Sequence, residues 1–352
     1  MISKRDIRSF SLDDLKVFFK EKGEPDFRAK QVYQWLWQKR ALRFEEMTNL
    51  SQSLRNLLDE NFVINAVQVS EMQISNDKTI KCAMRLHDGN VVESVLIPTA
   101  DRMTACISSQ VGCSLTCKFC ATGKLKRMRN LNADEIFDQV VLVRDAAHKY
   151  YSQRLSNIVY MGMGEPLLNY TEVIRSIEKI TSPEGLGMSP QRITLSTAGV
   201  AKMIQRMGDE KVKFNLALSL HAANDEKRNQ IMPINETNNL ENLISSLNYF
   251  YESTGTRVTL EFIVFKDFND GLKDAKELLN FCKKVKSKVN IIEYNPIDDS
   301  EFRQTTPERL EVFKNFLENN GVIVNVRRSR GKDIDAACGQ LANKNKLSFV
   351  VK

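Results

Sequence analysis

The chain has 352 residues, of which 42% are hydrophobic and 27% charged. That is ordinary globular usage with enough apolar mass for a large core, which excludes a disordered or fibrous chain. No apolar run approaches the ~18 residues of a membrane helix, and the opening MISKRDIRSFSLDDL holds no apolar signal segment. The expectation is a reduced, cytoplasmic protein with no membrane partner, in which clustered cysteines serve metal or redox chemistry rather than structural disulfides. A net charge of +7 leans weakly toward a polyanionic partner.

Residues 1–75 read as a small helical domain. Ser11 with Asp13 and Asp14 marks a helix start. Residues 27–40 carry an apolar stripe of Val32, Trp35 and Leu36 beside Arg28, Lys30, Lys39 and Arg40, and 51–62 form a third helix. Aromatics among bases suit an RNA-binding accessory module; they equally suit a packed core with a basic surface. Residues 76–98 read as a β-hairpin, two strand-like runs around the Asp88-Gly89 turn. Glu93, among Val91, Val92 and Val95, is expected on its exposed face.

From 99 to 345 strand and helix alternate. Strands are expected at 103–108, 157–161, 192–196, 212–219, 257–264, 289–294 and 322–326. Helices are expected at 132–150, 171–181, 239–252, 273–285 and 307–319. This is an α/β pattern in which a parallel sheet with crossover helices forms a partial (βα)6 barrel. In such barrels the chemistry sits at the carboxyl ends of the strands. Cys113-Ser-Leu-Thr-Cys117-Lys-Phe-Cys120 follows the first strand and Gly162-Met-Gly164-Glu165-Pro166 the second. Ser196 ends the third, Ser219-Leu220-His221 the fourth, Glu261 lies within the fifth, and Asn295 follows the sixth.

Three close thiolates can hold three irons of a four-iron cluster and leave the fourth open to a ligand. A structural zinc completed by Cys106 is the other possibility, but a closed zinc site usually wants a second two-cysteine knuckle. Cys82 and Cys282 read as buried small hydrophobes. Cys106 and Cys338 lie outside the cluster motif, and the glycines and acids around Cys338 suggest a mobile polar loop with a reactive thiol. The basic runs 124–129 and 327–332 flank this chemistry and are expected to meet phosphates.

The cysteine spacing, with Phe119 before the last cysteine, resembles the radical S-adenosylmethionine (SAM) enzymes. Together with Met161-Gly-Met-Gly-Glu-Pro-Leu-Leu-Asn169 and Asp333-Ile-Asp-Ala-Ala-Cys-Gly-Gln-Leu341, it resembles the RlmN family across nearly the whole chain. The resemblance implies a radical SAM barrel, a [4Fe-4S] cluster on Cys113, Cys117 and Cys120, and two SAM molecules per turnover. It places Glu165 on the SAM ammonium, with Gly162 and Gly164 allowing close backbone approach. Ser196, Ser219, Leu220 and His221 would serve its carboxylate or ribose, and Asn295 its adenine or ribose. It implies methylation of carbon 2 of an adenine in 23S rRNA, and in some members of an adenine beside the anticodon of tRNA. Carbon 2 is electron-poor, which explains a radical route. In the implied sequence Cys338 is methylated by one SAM, and a deoxyadenosyl radical from a second abstracts hydrogen from that methyl. The methylene radical adds to the base, Glu93 accepts a proton (against the exposed-face reading), and Cys106 resolves the adduct, leaving a Cys106–Cys338 disulfide. A flavodoxin-type electron donor is implied. Rival readings are a sibling family that methylates carbon 8, disfavoured by Pro166 after Glu165, and a zinc-stabilised RNA-binding protein without catalysis.

Overall fold

The computed structural model describes residues 4–344; residue 345, the end of the expected barrel segment, and residues 1–3 lie outside the described residues. The amino-terminal unit has helices α1 (Leu12–Glu21), α2 (Phe27–Trp37) and α3 (Gln52–Asn61). Ser11 and Asp14 form a reciprocal capping box: the Asp14 amide donates to Ser11 Oγ at 3.1 Å, and the Ser11 amide donates to Asp14 Oδ2 at 2.8 Å. Trp37 is core: its ring stands edge-on to Phe137 with centroids 5.2 Å apart. Trp35 is half-buried, with Lys39 Nζ 3.7 Å from its ring centre.

Ten strands form one sheet among the described residues, in the order of the chain. They are β1 (Gln68–Ile74), β2 (Ile80–Arg85), β3 (Val91–Pro98), β4 (Met103–Cys106) and β5 (Asn157–Tyr160), then β6 (Ile193–Thr197), β7 (Asn215–Ser219), β8 (Val258–Val264), β9 (Ser287–Glu293) and β10 (Val324–Arg327). Neighbours from β1 to β4 are antiparallel, and from β4 to β10 they are parallel. Crossovers are made by α4 (Ala133–Tyr151), α5 (Tyr170–Thr181), α6 (Ala201–Asp209), α7 (Asp225–Ile231), α8 (Leu240–Thr254), α9 (Leu272–Lys284) and α10 (Pro307–Asn319). This is the expected α/β partial barrel, with the helical unit and the hairpin in front of it. No helix among the described residues is long and apolar enough to cross a membrane.

Three elements escaped the sequence reading. Strand β1 is an edge strand of mixed polarity, so its alternation is weak. Helix α7, Asp-Glu-Lys-Arg-Asn-Gln-Ile, has no apolar stripe. Helix α6 has Gly208 just before its last residue, and an added Cβ there would meet the Tyr249 ring at 3.0 Å, so helix packing sets that residue.

The expected exposed face for Glu93 is wrong. It is 1% exposed because β3 is covered on both sides. Ser94 donates to Gln139 of α4 at 2.8 Å on one face. On the other, Glu93 Oε2 accepts from the Ala342 and Asn343 amides at 2.9 and 3.0 Å, and its Oε1 lies 3.5 Å from Lys81 Nζ.

The sheet's two edges are not paired to each other, and polar ties span the seam. The Gly331 amide donates to Asp77 Oδ2 at 2.9 Å and the Asn76 amide to Asp333 Oδ2 at 3.0 Å. The loop after β10 is thereby fastened to the β1–β2 turn.

The helical unit docks on the barrel through buried charge. Arg8 lies 2.9 Å from Asp138 and 3.1 Å from Asp134, and Arg40 is 3.5 Å from Asp138. Asp138 also accepts from the Val67 amide at 3.0 Å. Removing one partner of a buried ion pair leaves the other uncompensated. Asp138→Ala should therefore cost ~3–5 kcal/mol, read as a lower denaturation midpoint and faster proteolysis between residues 4 and 67.

Candidate active site

Strand β4 ends at Cys106, and the chain runs through Ser108, Ser109 and Gln110, all buried, into the cysteine loop. Gly112 (φ +74°) makes the turn; a Cβ there would meet the Lys126 carbonyl oxygen at 2.2 Å. The loop is pinned at several points. The Lys118 amide donates to the Ile231 carbonyl at 3.1 Å and the Ala121 amide to the Gly339 carbonyl at 2.7 Å. Thr122 Oγ1 donates to the Leu341 carbonyl at 2.6 Å. Phe119 packs edge-on against His221 with ring centres 4.8 Å apart.

One cavity at the carboxyl ends of the parallel strands is lined by Cys113, Cys117, Cys120, Cys106 and Cys338, and by Gly164, Glu165, Ser196, Ser219 and His221. Ten of the thirteen expected site residues thus share one wall; Glu93, Leu220 and Asn295 do not. Leu220 is fully buried in the core. Asn295 Nδ2 donates to the Cys338 carbonyl at 3.1 Å, so this side chain holds the thiol's loop.

Burial pushes the Cys113 thiol up to about 11 and raises Cys120. Cys117 is raised by burial and then by its two neighbouring sulfurs. Such a set ionises only against positive charge. Among the described residues, no three His, Cys, Asp or Glu side chains come together as a site for one metal ion. A closed zinc site needs four donors gathered on one ion, whereas a four-iron cluster needs only one thiolate on each of three irons. The donors fit that cofactor.

Cys106 and Cys338 face the same cavity. Burial pushes Cys106 up to about 12, reinforced by Cys338 and opposed by Arg327. Cys338 opens to solvent at the mouth, and the protein around it still raises its thiol to about 11, again opposed by Arg327. All seven cysteines are free, so the expected Cys106–Cys338 disulfide is a correction. The Cys338 segment is bonded to the cysteine loop and, by Gln340 Nε2 to the Pro296 carbonyl at 3.0 Å, to the chain beyond β9.

Glu165 is buried, and burial raises its carboxyl; Oε2 accepts from the Ala198 amide at 2.8 Å and Oε1 from the Leu167 amide at 3.0 Å. Gly162 and Gly164 are required by packing inside the protein. A Cβ on Gly162 would meet the Ile107 carbonyl oxygen at 2.7 Å, and one on Gly164 (φ +97°) would meet Gln110 Cβ at 2.5 Å. Burial, aided by Arg228, pushes His221 down to about 3, so the ring is neutral, with Nδ1 accepting from the Ile263 amide at 3.1 Å.

Two arginines were missed as site residues. Arg327, read only as a phosphate ligand, reaches Glu261 Oε2 at 3.3 Å, and Asn290 Nδ2 donates to the other Glu261 oxygen at 2.8 Å. Arg228 lies fully buried under the cavity and gave no signal in its short polar helix. The basic runs are also partly spoken for. Arg129 pairs with Glu135 at 2.7 Å, Lys332 with Glu293 at 3.2 Å, and Lys124 with the Asp298 carbonyl. Lys126, Arg127 and Arg328 stay exposed.

Gly164→Ala should force Gln110 and the approach to the cysteine loop apart. The expected result is a folded protein whose SAM affinity falls at least about tenfold, ~1.4 kcal/mol, measured by equilibrium dialysis.

Residues 5–64 match the ribosomal RNA large subunit methyltransferase N-terminal domain, and residues 107–282 match the radical SAM superfamily. A probable dual-specificity RNA methyltransferase RlmN of Cytophaga hutchinsonii is 62% identical, covering 97% of this chain and 94% of its own. The dual-specificity RNA methyltransferase RlmN of Nitratidesulfovibrio vulgaris is 44% identical over 96% of this chain and 94% of its own. The crystal structure of a radical SAM methyltransferase from Sphaerobacter thermophilus superposes with a TM-score of 0.90 at 36% identity, covering 96% of this chain and 99% of that one. By sequence and by fold, the chain belongs to the RlmN family of the radical SAM superfamily.

Proposed function

We propose that this chain is a radical SAM methyltransferase that methylates carbon 2 of an adenine in 23S rRNA and of an adenine beside the anticodon of tRNA. The observation that carries this reading is the meeting of Cys106 and Cys338 with the three-cysteine loop in one cavity, in a chain of this family. It works in the cytoplasm with a low-potential donor of the flavodoxin type. Residues 1–75 serve as an accessory domain, 76–98 as the hairpin, and 99–345 as the barrel with its thiol loop.

Cys113, Cys117 and Cys120 would hold a [4Fe-4S] cluster, which together with SAM would supply a methyl group and a carbon radical. The remaining steps belong to the protein. Glu165 takes the SAM ammonium, and Ser196, Ser219 and the polar groups of the 220–221 turn orient the rest. Cys338 must lose its proton to accept a methyl, and the Arg327 guanidinium favours that thiolate. Cys106, set deeper in the same wall, is the second thiol and acts on the adduct between Cys338 and the base. Glu93 is the proton acceptor once the 342–343 backbone lifts from its carboxylate. Asn295 fixes the carbonyl of the thiol-bearing residue. The target base must leave its stack to enter the cavity, and Lys126, Arg127 and Arg328 hold the flanking phosphates.

Anaerobically reconstituted protein, assayed on both RNAs with mass spectrometry of the nucleosides, should yield 2-methyladenosine from each. Only 8-methyladenosine would move the chain to the sibling chemistry, and product from rRNA alone would remove the tRNA activity. Cys338→Ala should yield no methylated base. Replacing Lys126, Arg127 and Arg328 by Ala should weaken RNA binding and flatten the logarithmic salt slope by about 0.7 for each single-strand phosphate that is no longer neutralised.

A further inference from the structure

Behind the cavity wall lies an arginine that the steps above leave unused. Arg228 is fully buried, and its hydrogen bonds among the described residues all go to neutral acceptors. Nε donates to the Leu220 carbonyl at 3.1 Å and Nη1 to Asn235 Oδ1 at 2.6 Å. Nη2 donates to the Ala198 carbonyl at 2.6 Å and the Ser219 carbonyl at 3.2 Å. The carboxylate that acts on it electrostatically, Asp225, spends its Oδ1 on Asn235 Nδ2 at 2.8 Å and on the Leu240 amide at 3.0 Å. Arg8, the other buried arginine among the described residues, has three carboxylates around it. Asp225 still favours the guanidinium from a distance, but a buried cation with no carboxylate hydrogen-bonded to it is costly, so further counter-charge should be sought nearby.

Among the described residues, the neighbours of opposite character on the cavity side are the cluster thiols. The helix that carries Arg228 ends at Ile231, whose carbonyl accepts from the Lys118 amide, one residue past Cys117. Arg228 favours the ionised form of Cys117, and Cys117 in turn favours the charged guanidinium. Two of its acceptors, Ala198 and Ser219, line the cavity.

We propose that Arg228 is a positioning residue whose fixed positive charge under Cys117 compensates the thiolate-bound cluster and raises its reduction potential. The inference rests on the reading that a cluster occupies these three thiolates. Such a cluster is negative overall and becomes one charge more negative when it takes one electron from the donor, with no proton required. A buried cation therefore favours the reduced form more than the oxidised form.

The test is a redox titration of the reconstituted full chain, following the electron-paramagnetic signal of the reduced cluster, with iron and sulfide assayed in each sample. Arg228→Gln should shift the reduction equilibrium about tenfold against the reduced cluster, ~59 mV for a one-electron couple. Arg228→Lys should stay near wild type. The double exchange Asn235→Asp with Asp225→Asn sets a carboxylate against the guanidinium with little change of shape, and should shift the potential in the same direction as Arg228→Gln. An unchanged potential in either neutralised variant that retains its iron overturns the proposal. Loss of iron from both neutralised variants but not from Arg228→Lys supports it, and loss from all three overturns it in favour of a purely structural arginine. Wild-type protein without an iron–sulfur cluster would instead defeat the reading of the three cysteines.

Discussion

An open parallel sheet leaves a seam between its edges, and the structure depends on how that seam is spanned. No strand among the described residues does it. The segment after β10 crosses instead, tied by Asp77 and Asp333 at the β1–β2 turn, by Glu93 on β3 and by Asn295 beyond β9. The cysteine loop is bonded to the same segment through Ala121 and Thr122. Two loops more than 200 residues apart, as the Thr122–Leu341 separation of 219 shows, thus become one wall, and the thiols of both loops face one space.

Buried charge is used in two contrasting ways. Arg8 is surrounded by Asp6, Asp134 and Asp138 and fastens the helical unit to α4. Among the described residues, Arg228 donates its hydrogen bonds to carbonyls and one side-chain amide. Both are excluded from water, so hydration accounts for neither. One is a fastening whose charges balance locally, and the other is a standing positive field behind the cavity wall. Arg327 lies between these cases, sharing Glu261 while facing the two thiols outside the cluster motif.

The barrel was legible because its strands are short apolar runs with β-branched residues, and their ends fell close to the expected positions. The cysteine loop was legible because three soft ligands at that spacing have few other uses. What could not be read was partnership over distance. Glu93 sits among valines as an outward-facing residue would, and only the fold brings residues 342–343 over it, about 250 positions away. Asn295 follows its strand as a cavity residue should, yet its amide turns to the Cys338 carbonyl. Arg228 occupies a seven-residue helix without amphipathic pattern, so neither its burial nor its neighbours were visible. The glycines after β5 were read as making room for a ligand; that they also make room for the Ile107–Gln110 segment was not visible.

The ties along residues 338–343 also act as a ruler. Asn295 grips the carbonyl of 338, Thr122 that of 341, and Glu93 the amides of 342 and 343. The fixed points lie beyond β9, on the cysteine loop and on β3, so this stretch is held along its length in the resting state. One inserted residue would add up to ~3.6 Å of contour and carry the sulfur away from Cys106. Spacing in this short stretch is therefore as much a part of the chemistry as the cysteine itself.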